Sequence, residues 1–217
     1  MTPASAHTTD AAASDADLVR QVLAGDRGTF AVLVRRHNQR LFRACRAVLH
    51  DDQDAEDAAQ AAWVSAYRHL ATFRGDAAFS MWVTRIAVHE ASARLRRRDR
   101  PALVAIEEVT LSDEHDPERA ASTGELGKLL ERHIDALPDG LRSVLMMRDV
   151  LELDTAETAT CLGIREEAVR VRLHRARQAL ARDLVDVVET ALPGVWQFDG
   201  ERCARMIDAV MKQIASA

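Results

Sequence analysis

Apolar residues return along this chain at the three- and four-residue spacing of amphipathic helices, and that spacing favours helix over strand almost everywhere. Leu18, Val19, Val22 and Leu23 predict a short helix that Gly25 ends. Phe30, Leu33, Val34, Leu41, Phe42, Cys45, Val48 and Leu49 continue with the same spacing. The acidic run DDQDAED at 51–57 supplies N-cap candidates and places negative charge at the positive end of the next helix, which carries Trp63, Val64, Ala66 and Tyr67 to about Leu70. FRGD at 73–76 reads as a turn. Beyond it Phe79, Trp82, Val83, Ile86 and Ala87 predict another amphipathic helix ending in a run of arginines, which Pro101 stops.

The second half repeats the helical pattern after an interval without periodicity. Leu129, Leu130, His133, Ile134 and Leu137 form a stripe closed by Pro138, and Leu141, Val144, Leu145 and Met146 make the next helix. Residues 155–180, TAETATCLGIREEAVRVRLHRARQAL, then read as two short helices joined by a tight turn. Gly163 supplies the positive φ that ends the first, and Ala159 is small where the first must pass close to the second. At roughly 100° per residue, Val169, Leu173, Ala176 and Leu180 share a buried face. Glu167, Arg170, Val171, His174, Arg175 and Gln178 fall opposite, on a mostly basic surface of the kind that enters a DNA major groove. An ordinary helical hairpin with a solvated charged face is the plainer reading. The density of arginine and the small corner residue favour DNA.

These patterns predict an all-α protein of two helical domains joined by a flexible acidic linker, the second domain containing a helix-turn-helix. The expected divisions are a disordered tail over 1–15, a helical domain over 16–100, the linker over 101–125, a second domain over 126–190 and a helical extension over 191–217. In the extension Cys203, Met206, Ile207, Val210, Met211 and Ile214 recur at helical spacing after Pro193 and Gly194, which predicts a terminal helix packed on its own, second, domain.

Composition sharpens this picture at two points. Aromatic residues make up only 4% of the 217 positions against 47% hydrophobic, so Leu, Val, Ile and Ala must do most of the packing. The formal net charge of -5 argues against nucleic acid only if charge is evenly spread, and it is not. Arg85, Arg94, Arg96, Arg97, Arg98 and Arg100 form one basic block and Arg165, Arg170, Arg172, Arg175, Arg177 and Arg182 another. Between them lies the acidic stretch of Glu107, Glu108, Asp113, Glu114, Asp116 and Glu118. Two basic surfaces on either side of an acidic connector suggest two contacts with one polyanion.

Enzyme chemistry finds no support: there is no GxxxxGK[ST] loop, GxSxG or HExxH, and the histidines are scattered. Cys45, Cys161 and Cys203 have neither CxxC nor histidine at ligand spacing, so neither a zinc site nor a disulfide framework is indicated; all three read as small buried residues. No cofactor is expected. No apolar run approaches the roughly 20 residues that span a bilayer, and the N-terminus lacks the order of a signal peptide, so a cytoplasmic location without membrane insertion is expected.

Two helical domains, the first ending in a basic helix and the second in a helix-turn-helix, resemble a bacterial RNA polymerase sigma factor of the extracytoplasmic-function group. DAEDAAQAAWVSAYRHL at 54–70 is similar to the family's polymerase-binding helix and FRGDAAFSMWVTRIAVHEASARLRRR at 73–98 to its promoter-melting segment. LPDGLRSVLMMRDVLELDTAETATCLGIREEAVRVRLHRARQAL at 137–180 is similar to its second DNA-binding domain. The resemblance implies that Asp54, Glu56, Asp57 and Gln60 dock on core RNA polymerase. It implies that Phe73, Arg74, Asp76, Arg85, His89, Arg94, Arg96 and Arg97 serve the minus-ten element, captured as melted single strand with one base flipped beside the loop at 73–76. Trp82 is read as core rather than as a stacking platform. In the second domain it implies that Arg170, Val171 and His174, with Glu167, face the minus-thirty-five element, while Arg165, Arg175 and Arg177 position the DNA backbone. The partners so implied are core polymerase, promoter DNA and an anti-sigma factor. A free-standing helix-turn-helix regulator is the alternative, and it leaves the acidic helix and the first basic block unexplained.

Overall fold

A computed structural model of the chain describes residues 13–98, 124–184, 195–198 and 200–216, the helix ends 124–126 and 182–184 by backbone only. The expected tail and acidic linker, and Arg100, fall almost entirely outside these residues. Every regular element among those described is helical.

Helix α1 (Asp15–Leu23) starts where the Ser14 hydroxyl accepts from the Asp17 N–H, and it buries Leu18, Val19 and Val22. α2 (Phe30–Leu49) is the axis of the first unit. Its predicted stripe is buried throughout, and His50, in the left-handed region at φ 62°, ends it. α3 (Asp52–Arg68) is capped by Asp51, whose carboxylate accepts from the Asp54 N–H. Ala55, Ala58, Ala59, Ala62 and Ala66 on α3 are fully buried, so its backbone lies close to α2 and to α4 (Phe79–Arg98). Trp63 is the largest side chain α3 buries, edge-on to Phe30 at 5.8 Å, with its Nε1–H donating to Asn38 Oδ1 at 3.0 Å. Leu and Phe side chains buried this fully contribute roughly 1.5–3 kcal/mol each.

The second unit begins with α5 (Gly124–Asp135) and α6 (Asp139–Leu145), whose last turn widens so that Leu151 N donates to Met146 O at 2.9 Å. α7 (Thr155–Leu162) and α8 (Glu166–Leu184) follow. The two units pack together: Ala44, Met81 and Val88 of the first bury against Met147, Leu151 and Leu153 of the second. A charged side chain stitches the same seam. Arg142, fully buried, donates from Nε to Ala47 O at 2.9 Å and also meets His50 Nδ1, while Ser143 donates to the same carbonyl at 3.1 Å. Ala47 lies in the last turn of α2, where carbonyls lack helical partners and the helix dipole is negative, so a guanidinium is well placed there. Burial nevertheless pushes Arg142 down to about 10.

The terminal helix α9 (Gly200–Ala215) corrects one expectation. It packs on α2 and α3 of the first unit rather than on the second. Its apolar stripe, Met206, Ile207, Val210 and Ile214, is the predicted one. A stripe specifies that a face is buried but not which surface receives it, and here the small residues of α3 leave the closer seat.

Candidate nucleic-acid interface

The geometry of the second unit is set locally. Asp154 accepts from the Glu157 N–H at 2.7 Å while the Glu157 carboxylate accepts from the Asp154 N–H at 2.8 Å, a reciprocal cap that satisfies two otherwise orphaned donors. Gly163 ends α7 at φ 65°, in the left-handed region, and turns the chain into α8. Ala159, Val144 and Val169 meet at the corner, and Val169, Ala176 and Leu180 are buried as the spacing predicts.

On the outer face of α8, Glu167, Arg170, Val171, His174 and Arg175 are all exposed, Val171 to 48%, and Arg165 is exposed just before the helix. Arg170 lies against Glu166 at 2.9 Å and Glu167 at 4.0 Å. Exposed pairs of this kind contribute at most about 1 kcal/mol, so a phosphate readily displaces them. Arg177 stands apart. Both its Nε and Nη2 donate to Asp149, at 2.9 and 2.6 Å, which raises its pKa while the side chain stays exposed. This pair ties α8 to the turn that follows α6. Arg172, half-buried, lies over Gly140, where an added Cβ would sit 3.2 Å from its Nη1.

The first basic block divides between two faces of α4. Arg85, His89 and Arg96, four and seven residues apart, are exposed on one side. Arg94 turns back toward α3, its Nη1 3.5 Å from Asp57 Oδ2 and its Nη2 donating to Asp57 O at 3.1 Å, and Arg98 reaches Asp54 at 3.8 Å. Arg97 is exposed and lines a shallow depression with Leu49, Asp54, Arg94 and Arg98. At the start of α4, Phe73, Phe79 and Trp82 form an aromatic cluster with centroids 5.5–5.7 Å apart. It supports the loop on which Arg74 and Asp76 are exposed and Gly75 turns at φ 79°.

The acids of α3 divide likewise. Asp54 and Asp57 face the arginines of α4. Glu56 and Gln60, with Asp52, lie on the other side, where Arg202 of α9 bonds Glu56 at 2.6 Å and Asp52 at 3.2 Å. Arg202, Arg46, Arg142 and Asn38 are the polar residues that the sequence did not single out. The available signal was a polar or charged residue set inside an apolar stripe, as in ACRAVL and LRSVLMM. Among the described residues no group of three or more His, Cys, Asp or Glu side chains is placed to hold a metal, and no helix is long and apolar enough to cross a membrane.

Comparison with known proteins finds two family models and several relatives. Residues 33–101 match the family model of sigma-70 region 2, and residues 128–180 that of sigma-70 region 4. The RNA polymerase sigma-H factor of Pseudomonas aeruginosa is 34% identical over 187 residues, covering 82% of this chain and 97% of that one. The ECF RNA polymerase sigma factor SigM of Mycobacterium tuberculosis is 38% identical over 170 residues, covering 78% and 84%. Among solved structures, the sigma factor RpoE of Bartonella quintana, determined with the anti-sigma factor NepR, shares the fold with a TM-score of 0.54 at 19% identity, over 70% of this chain and 91% of that one. A capped helix-turn-helix behind an exposed basic face, an arginine-bearing helix in the first unit, and relatives above 30% identity along about four fifths of its length establish that the chain belongs to the extracytoplasmic-function family of RNA polymerase sigma factors.

Proposed function

We propose that this sigma factor divides promoter recognition among three surfaces. The acids and amide of α3, Asp54, Glu56, Asp57 and Gln60, dock on core polymerase, where carboxylates pair with basic side chains. Arg85, His89, Arg96 and Arg97, with Arg94 released from Asp57, line a groove for the phosphates of the melted minus-ten strand. The loop at Phe73, Arg74 and Asp76 borders the site of an extruded base, as single-strand capture requires. Arg170, Val171 and His174 face the bases of the minus-thirty-five element: valine offers an apolar contact to a thymine methyl, and Glu167 accepts from a cytosine amine. Arg165 and Arg175 hold phosphates and set the register. The chain supplies specificity and binding, and the chemistry of RNA synthesis stays with the polymerase.

The carrying observation is the outer face of α8, polar, basic and exposed on a helix that its buried side holds rigidly. Each surface is modest, so promoters bind well when core polymerase tethers both units. An anti-sigma factor that occludes both units fits this arrangement, as the Bartonella quintana sigma factor was solved with one.

The test is transcription in vitro with purified core polymerase and a genomic promoter library. The wild-type chain is expected to redirect start sites, and Arg170→Ala/Arg175→Ala to lower those transcripts at least about tenfold, since a base or phosphate contact is worth roughly 1–3 kcal/mol. Undiminished promoter-directed transcription by the double variant would remove α8 as the reader. Asp57→Lys is expected to weaken capture of core polymerase in a pull-down more than it weakens binding of DNA; unchanged capture removes Asp57 from the docking surface.

A further inference from the structure

The C-terminal segment occupies the face of α3 that carries Glu56 and Gln60. Met206, Ile207, Val210 and Ile214 of α9 are buried against α2 and α3, and Asn38 donates to Cys203 Sγ at 3.5 Å. The polar part of the contact is denser than a helix needs merely to stay in place. Arg202 donates from Nε and Nη2 to Glu56, at 2.8 and 2.6 Å, and from Nη2 to Asp52 at 3.2 Å. Its guanidinium lies 4.9 Å from the ring centroids of both Phe42 and Phe198, themselves stacked at 4.5 Å. A guanidinium pairing with α3 carboxylates is the chemistry expected of the polymerase at that place.

The same segment also grips the second unit. Just before α9, the Trp196 N–H donates to Glu131 of α5 at 2.9 Å, and the Trp196 carbonyl accepts from Gln39 of α2 at 2.7 Å. Arg46 lies 4.9 Å over the Trp196 ring while bonding Asp135 of α5 through both Nη atoms, at 3.0 and 2.8 Å.

We infer that residues 195–198 and 200–216 form an intramolecular cover that competes with core polymerase for α3, and that its displacement by polymerase also removes the tie Trp196 makes to the second unit. The inference rests on the assignment of Glu56 and Gln60 to polymerase docking. A competitor joined to the site lowers the apparent affinity by the fraction of molecules in which the site is open, so weakening the cover raises affinity without adding any contact. Binding and uncovering are then one event: the polymerase takes Glu56 from Arg202, α9 leaves, and Glu131 of α5 loses the Trp196 N–H, while Asp135 keeps its pair with Arg46 of α2.

The experiment uses the full chain and purified core polymerase, with affinity and hydrogen exchange as separate readouts. Arg202→Glu, which meets Glu56 and Asp52 with like charge but keeps the apolar stripe, is expected to bind core roughly tenfold tighter than wild type. Arg202→Lys is expected to stay near wild type. In the wild-type chain, amides of α9 are expected to exchange faster in the polymerase complex than in the free chain. If Arg202→Glu binds no tighter and α9 keeps its protection in the complex, the cover is refuted while polymerase docking stands. If neither chain binds core, the docking assignment fails and the cover fails with it. Should Arg202→Glu lose its helical circular dichroism, Arg202→Gln replaces it and the exchange result on the wild-type chain decides alone.

Discussion

Asn38 shows how much can depend on one buried amide. Its Oδ1 accepts the only hydrogen of the Trp63 indole nitrogen, and its Nδ2 points to Cys203 Sγ, so one side chain links α2 to α3 and to α9. Asn38→Leu keeps the branching at Cγ but leaves a fully buried N–H without an acceptor, an arrangement that destabilises by roughly 1–3 kcal/mol. The urea midpoint is therefore expected to fall at unchanged slope, and an unmoved midpoint would mean that Trp63 finds another acceptor. The position of Asn38 was legible, since it lies four residues after Val34 and four before Phe42 on the apolar stripe of α2. Its partner was not, because the indole is 25 residues away and no local pattern joins them. Arg46 and Arg142 were not singled out by the sequence for a related reason. Hydrophobic patterning assigns charges to solvent, whereas these two are buried against carboxylates, a carbonyl and an imidazole that arrive from distant parts of the chain.

Helices α7 and α8 were read almost entirely from sequence because what defines them is local: a cap, a glycine turn and a stripe. α7 has only eight residues, too few to be stable alone, and relies on its caps and on the packing of Ala159. Asp154→Ala removes the acceptor of the Glu157 N–H and is expected to destabilise the second unit by about 1 kcal/mol. Hydrogen exchange should show the loss in α7 amides with α2 and α3 unaffected, and equal loss in both units would mean that the chain unfolds as one body. The acids of α3 and the arginines of α4 were less legible. DAEDAAQ and RLRRR are continuous in sequence, yet 100° per residue distributes each run over two faces. Asp54 and Asp57 lie toward Arg98 and Arg94 of α4, while Glu56 lies under Arg202 of α9 and Arg96 is exposed on the other side of α4.

The two units meet through a histidine whose pKa is lowered by burial, and this makes their association sensitive to pH. His50 Nε2 lies 2.7 Å from Asp139, and Nδ1 faces Arg142, which has only hydrogens to give. The ring is therefore neutral, with its proton on Nε2 donated to Asp139 and Nδ1 accepting from the guanidinium. Burial lowers the His50 pKa, and Arg142 and Arg46 lower it further against the opposing pull of Asp139. When the units separate, His50 returns toward its ordinary value of about 6.5 and binds more protons than it does when they are joined. By linkage the joined arrangement gains strength as pH rises through that interval. The contribution is complete above about pH 6.5 and is lost as pH falls from there to the lowered value of the joined state. His37 acts in the same direction, since burial lowers its pKa despite Asp15, but it lies between α1 and α2 and affects the first unit only. Small-angle scattering at pH 7.5 and 5.5 is expected to show the wild-type chain expanding in acid. His50→Gln, which offers Arg142 an acceptor and Asp139 a donor without titrating, should expand less, and His37→Gln should expand as the wild type does. Equal expansion by His50→Gln and the wild type would show that the acid response arises elsewhere than at this seam.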